Sequence, residues 1–130
     1  MSQPAAKQGD NVVGVDTHII MIPSPTGPVP TPMPMPFCGT LLDQLSEDVI
    51  IENMAAATKD SKAKNLPPHI PAGGPFQKPP SNEGTIQMGS AKVLINDKEA
   101  ARMGDTAMTC NDPADAPNGS IVCGSTVLMG

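Results

Sequence analysis

Apolar residues in this chain fall in short β-branched runs separated by turn residues, and the runs recur. "TIQM" (Thr85–Met88) and "KVLI" (Lys92–Ile95) flank a Gly-Ser pair, and "SIVC" and "TVLM" flank another at the C-terminal end, with one residue fewer after the Gly-Ser. Such runs read as strands, and Gly-Ser between them permits a tight turn or bulge. "VIIENM" and "KVLINDKE" end in Asn/Asp or Glu-Asn turn signals and lead into paired alanines. "AAKQGD" (Ala5–Asp10) returns as "AARMGD" (Ala100–Asp105), with a weaker copy, "AAATKD", at Ala55–Asp60. The unit is therefore strand, Gly-Ser, strand, Asn/Asp turn, Ala-Ala, Gly-Asp, loop. Three such units in one short chain predict pseudo-threefold symmetry.

The segments between the units, "IMIPSPTGPVPTPMPMPFCG" and "NLPPHIPAGGPFQKPP", carry regularly spaced prolines. Proline removes an N–H and fixes φ, so these segments are expected as extended, polyproline-like surface ribbons, outside helices and central strands. Helix is scarce. Thr40–Asp48 ("TLLDQLSED") offers one or two turns, with Thr40 as N-cap and Asp43 at N3. "NMAAATKDSKAKN" has a helical composition, but the repeat places it in a strand-turn context. The expected fold is mostly β: one domain over residues 1–130, built of short hairpins with pseudo-threefold symmetry, long Pro-rich loops and little helix.

Composition sharpens this picture. The chain holds 16 prolines, 12 glycines and 9 methionines, but 2 phenylalanines and no tryptophan or tyrosine. With 38% hydrophobic and 16% charged residues it is too apolar for a disordered chain. A core without large aromatic anchors is thin, and small domains so placed add a metal, disulfides or a partner surface. A net charge of −5 and 8 basic residues without a basic cluster argue against nucleic acid. No apolar run approaches the roughly 20 residues of a membrane helix, and the N-terminus lacks the apolar region of an export signal. Three cysteines cannot all pair internally, which favours thiol or metal roles.

The candidate ligands are His18, Cys38, His69, Cys110 and Cys123, with carboxylates beside them. His18 and Cys110 each follow a Gly-Asp in its repeat, so the symmetry brings them together. A further ligand from another loop completes a tetrahedral site, and imidazole with thiolate suits Zn2+. Taken singly, a loop histidine is most often solvated and a lone cysteine is most often a small buried hydrophobe. Cys123 matches Met88 within the repeat and reads as an apolar strand residue. Cys110, His69 and Asp112 have the residue types of a cysteine hydrolase. Yet the sequence shows no oxyanion loop, no nucleophile elbow and no helix to lower the thiol pKa, so no enzyme is expected.

With "GSAKVLIND" leading into "AARMGD", and with "VDTHIIMIPSPTGPVPTPMPMPF", "PPHIPAGGPFQKPP" and "AARMGDTAMTCNDP", the chain resembles the PAAR-repeat proteins, in particular the PAAR-like spike tips, over nearly its whole length. The resemblance implies a small β cone. Its broad base docks on the blunt end of a trimeric β-helical spike, one chain per trimer, and its point carries zinc. It implies a structural part of a contractile injection machine, a type VI secretion system or phage-tail-like particle, that sharpens the spike for puncture of a target membrane. Such a part is made in the cytoplasm and delivered outside on firing. The implied ligands are His18, His69 and Cys110. Where related chains have a histidine before Pro-Phe, this one has Met35, which leaves Cys38, Met35 or water as the fourth donor. Cys38 is the favoured choice. Asn111 and Asp112 read as turn and supporting residues. The chain ends on its last strand, which implies a bare tip with separate cargo. The competing readings are an adaptor that loads effector cargo on a spike and a small secreted zinc or cysteine hydrolase.

Overall fold

The computed structural model describes residues 3–130, and all regular structure among them is β. The strands are β1 (Gln3–Pro4), β2 (Asn11–Ile22), β3 (Val29–Asp43), β4 (Ile50–Ile51), β5 (Met54–Ala55), β6 (Lys62–Asn65), β7 (Glu83–Ile86), β8 (Leu94–Ile95), β9 (Lys98–Glu99), β10 (Thr106–Thr109), β11 (Ala116–Val122) and β12 (Leu128–Met129). Six of them close an antiparallel barrel in the order β10-β11-β2-β3-β6-β7, with β7 pairing back to β10. The other six form three two-stranded units at one end.

The threefold repeat is realised in the backbone. The amide of Ala57 donates to the carbonyl of Ala6, Ala6 donates to Ala101, and Ala101 donates to Ala57, each at 3.0 Å. This closed ring of three bonds surrounds the pseudo-axis. Only a methyl fits so near an axis, which is why all six alanines at 5–6, 56–57 and 100–101 are buried. The β4–β5 and β8–β9 hairpins turn through Glu52-Asn53 and Asn96-Asp97, all four with positive φ, the backbone a two-residue hairpin turn requires. The third unit has no turn. The two ends of the chain pair instead, Pro4 with Leu128 and Gln3 with Met129.

The central copy of the motif is shifted by one residue from its sequence alignment. Asp10 and Asp105 accept from the amides of Lys7 and Arg102, each at 2.8 Å, and Ser61 takes this place for Thr58 at 2.9 Å. Asp60 stands where Gly9 and Gly104 stand, with φ of 77° against 90° and 85°. The repeat is therefore Ala56-Ala57-Thr58-Lys59-Asp60-Ser61, with aspartate forced into the left-handed region.

Two sequence expectations are corrected. Thr40–Asp43 does not begin a helix but ends β3, because Leu41 fills the place of Ile86 and Ile121 in the barrel core; Gln44, at a φ of 58°, then turns the chain. The first Pro-rich segment is no free ribbon: Val29 to Asp43 is a strand whose residues Val29 to Thr40 pair with β2. The prolines occupy alternate positions. Thr17, Ile19 and Met21 of β2 send their amides away from β3, to Asn111, Asp112 and Pro75. The residues facing them in β3 are Pro34, Pro32 and Pro30. Each proline thus stands where the ladder needs no N–H. Since β6 pairs with β3 only from Gly39 to Asp43, the free edge over residues 30–36 offers no donor to a foreign strand.

The barrel core is built in layers, Leu41 with Ile86 and Ile121 nearest the terminal units, then Val12 with Ala63 and Ala107, capped by Phe37. Beyond Phe37 the symmetry breaks. β2 and β3 continue as a ribbon, and residues 75–77 lie along it through Met21 N–H to Pro75 O and Gln77 N–H to Ile19 O, both 2.8 Å.

Candidate metal centre

Where the ribbon leaves the barrel, four chemically distinct side chains meet. In β2 the even-numbered residues face inward, so Asp16 and His18 share a face by strand periodicity. Both are buried, Asp16 at 0% and His18 at 1% exposure. The Pro-rich loop after β6 brings in His69, and Cys110 follows β10 directly. One ligand atom from each of Asp16, His18, His69 and Cys110 lies within 4.8 Å of all the others.

Asp16 is at the centre of the cluster. Its Oδ2 is 3.1 Å from His69 Nε2, 3.4 Å from Cys110 Sγ and 4.0 Å from His18 Nε2. Cys110 Sγ and His18 Nε2 are 3.7 Å apart. The Thr109 hydroxyl donates to the other oxygen of Asp16. The two imidazole rings tilt at 55° with centroids 4.9 Å apart, and Phe76 covers His18 edge-on at 5.9 Å.

The donor set fits zinc. Tetrahedral bonds of roughly 2.0–2.3 Å place ligand atoms about 3.3–3.7 Å apart, and the four distances bracket that span. A carboxylate and a thiolate balance a divalent charge, and two neutral imidazoles complete a borderline-soft set. Burial first, and then the charge of Asp16, pushes the Cys110 thiol up to about 12. A cation reverses both effects, because it favours the thiolate and neutralises the carboxylate.

The structure brings three of the four sequence-favoured ligands together and leaves out the fourth. Cys38 is exposed, because side chains of β3 alternate and the odd-numbered residues face inward. Met35 has the inward parity; it is 8% exposed and, with His69, lines a cavity beside the site. The acidic member that sequence reasoning missed is Asp16. Its signal was present in "VDTH", since residues two apart on a strand face the same way. The proximity of His18 and Cys110 is not a symmetry match either. Cys110 stands as far beyond Asp105 as Val15 beyond Asp10, and it reaches the site because β10 ends at Thr109. Cys123 lies one residue past β11, half-buried against the barrel core. Asp112 and Asn111 lie beside the cluster, holding the edge of β2, and form no nucleophile–base arrangement with Cys110.

The fold is a small closed β barrel with internal threefold repetition, one end plugged by a buried polar cluster. Residues 76–129 match the family model for the PAAR motif. The match takes in less than half of the chain; it supports reading the chain as a PAAR-repeat protein, a family of structural parts of contractile injection systems. No curated protein gives a significant match. No solved structure does either.

Proposed function

We propose that this chain caps the blunt end of a trimeric β-helical spike, one copy per trimer, and sharpens it for passage through a membrane. One observation carries the reading. The three terminal units present Ile50, Leu94 and Leu128 at equivalent positions, 59%, 62% and 60% exposed. Exposed aliphatics repeated about a pseudo-threefold axis suit a partner with a true threefold axis. The short strand edges around them suit continuation of the partner's strands.

At the opposite end, Asp16, His18, His69 and Cys110 hold a zinc ion; Cys38 takes no part. Bound there, the ion ties β2, the His69 loop and the end of β10 together, and in small zinc domains such a tie contributes about 10–16 kcal/mol of apparent folding free energy. The chain's own residues stiffen the rest of this end. Alternating prolines restrict the unfolded β3 segment and so reduce the entropy lost on folding. Phe76 and Ile20 close the space above the cluster.

The test is binding of the purified chain to a trimeric spike of a contractile injection machine, read by light scattering and calorimetry. One chain per three spike chains is expected, and Ile50→Glu, Leu94→Glu and Leu128→Glu should each weaken binding by about tenfold, the scale of an interface anchor. Three chains per trimer, or undiminished binding by the triple variant, would sink the reading. Binding of effector cargo with no affinity for any spike end would favour the adaptor role instead.

A further inference from the structure

The two histidines of the cluster are held differently on their far sides. His69 Nδ1 lies 3.3 Å from Asn65 Nδ2. The orientation of that amide is fixed, because Asn65 Oδ1 accepts from the Cys38 backbone at 2.9 Å. A nitrogen donor therefore faces His69 Nδ1. His18 Nδ1 is buried, has no hydrogen-bond partner among the described residues, and points at Asp112 Oδ2 from 3.5 Å. A small ring rotation closes that distance to a hydrogen bond.

Asp112 is itself fixed. Its Oδ2 accepts from Ile19 N–H at 2.9 Å, and its own N–H donates to Thr17 O at 2.8 Å. The adjacent Asn111 Oδ1 accepts from Thr17 N–H at 2.7 Å. Residues 111 and 112 thus grip β2 on both sides of His18, and only Asp112 aims an acceptor at the ring.

We propose that Asp112 is a positioning residue: it accepts the Nδ1 proton of His18, holds that ring with its Nε2 lone pair toward Asp16 and Cys110, and makes His18 the anchoring imidazole of the metal site. The inference rests on the metal-site reading above. The physical reason is general. An imidazole can ligate through Nε2 only with its proton on Nδ1, and a carboxylate there fixes both the tautomer and the ring orientation while raising ligand basicity. His69 has no such acceptor: with the Asn65 amide facing its Nδ1 the proton sits on Nε2, toward Asp16, so this ring ligates only once Asn65 turns aside, and it contributes less.

A matched pair of variants tests this. Asp112→Ala and Asn111→Ala each remove one side-chain acceptor from a β2 amide, Ile19 or Thr17, but only the first removes the acceptor facing His18. Zinc affinity of the full chain, measured by competition with a chelator, should fall by about 10–100-fold in Asp112→Ala, the usual cost of losing such a partner. Asn111→Ala should leave it unchanged, and Asp112→Asn, which keeps a neutral acceptor, should recover part of the loss. In the zinc-loaded protein the His18 Nδ1–H resonance should be downfield and exchange-protected, and should lose both properties in Asp112→Ala. Equal losses in the two alanine variants, or an unmoved resonance, would overturn the proposal. Failure of the wild-type chain to bind one zinc would instead remove the metal-site reading beneath it.

Discussion

Phe37 leaves no room for a side chain at Gly39: a Cβ built there would stand 2.7 Å from the ring Cε1. The ring fills the barrel at the level where Gly39, Gly84 and Gly119 occupy equivalent places two residues before Leu41, Ile86 and Ile121. One aromatic in a threefold barrel has no symmetric partners, so Gly39 and Gly84 make space for the ring by having no side chain, while a Cβ at Gly119 would meet Val12 and Thr109 instead. Gly39→Ala should destabilise the chain by about 1–3 kcal/mol through overpacking. Phe37→Ala should cost about 3–5 kcal/mol through the cavity left. In denaturant titrations the pair Phe37→Leu with Gly39→Ala should be less damaging than the sum of its members. Strict additivity would mean that ring and glycine do not compete for the same space.

The proline pattern of β3 makes a parity prediction. Pro32→Ala returns an N–H to a free edge and should cost no more than about 0.4–1 kcal/mol, the unfolded-chain entropy that the proline removes. Met33→Pro, one residue on, removes a donor facing β2 opposite His18 and strands a buried acceptor, at about 1–3 kcal/mol. Thermal denaturation of the two variants checks this. Similar losses would refute the assignment of which β3 amides serve the ladder.

These residues also show why the sequence was only partly legible. Ala-Ala and Gly-Asp were readable as a repeat because each copy has the same local task, a close approach at the axis and a capped turn. Prolines at 30, 32, 34 and 36 were misread because proline signals only a missing donor. Whether the ladder needs that donor is set by register with β2, which no local pattern states. Cys38 lies outside the cluster for a related reason. Its nearness to the Pro-rich motif was visible, but its outward parity follows from Phe37 pointing in. Asp16 was overlooked because a carboxylate in a β-branched run has many uses, and its role depends on His69 arriving from a loop distant in sequence.

The displaced central repeat predicts an asymmetric response to restoring symmetry. Lys7 pairs with Asp10 at 3.1 Å and Arg102 with Asp105 at 3.0 Å, whereas Thr58 brings no cation to Ser61. Ser61 is fully buried, and its hydroxyl also donates to Gln44 O at 2.7 Å. Ser61→Asp would bury an uncompensated charge against that carbonyl and should cost at least about 2 kcal/mol. Adding Thr58→Lys should restore part of it. A double-mutant cycle in urea gives the coupling, and a value of zero would show that the turn tolerates the charge without a cation.

The cysteines make the last prediction. Cys38 is exposed, while Cys110 and Cys123 are shielded; burial pushes both thiols up, to about 12 in metal-free protein for Cys110 and about 11 for Cys123. In native protein at pH 8 an alkylating reagent should modify Cys38 first, and the other two only after denaturation. For Cys123 the cause is burial first, then the charge of Asp10. A thiol whose folded pKa is raised contributes stability that is fully present below the unfolded value of 9.0 and is lost as pH rises toward about 11, because the unfolded chain ionises first. Stability by urea titration should therefore decline across that window. Cys123→Val carries no proton there, so its decline should be shallower. An equal slope in wild type and variant would show that the Cys123 thiol ionises alike in both states.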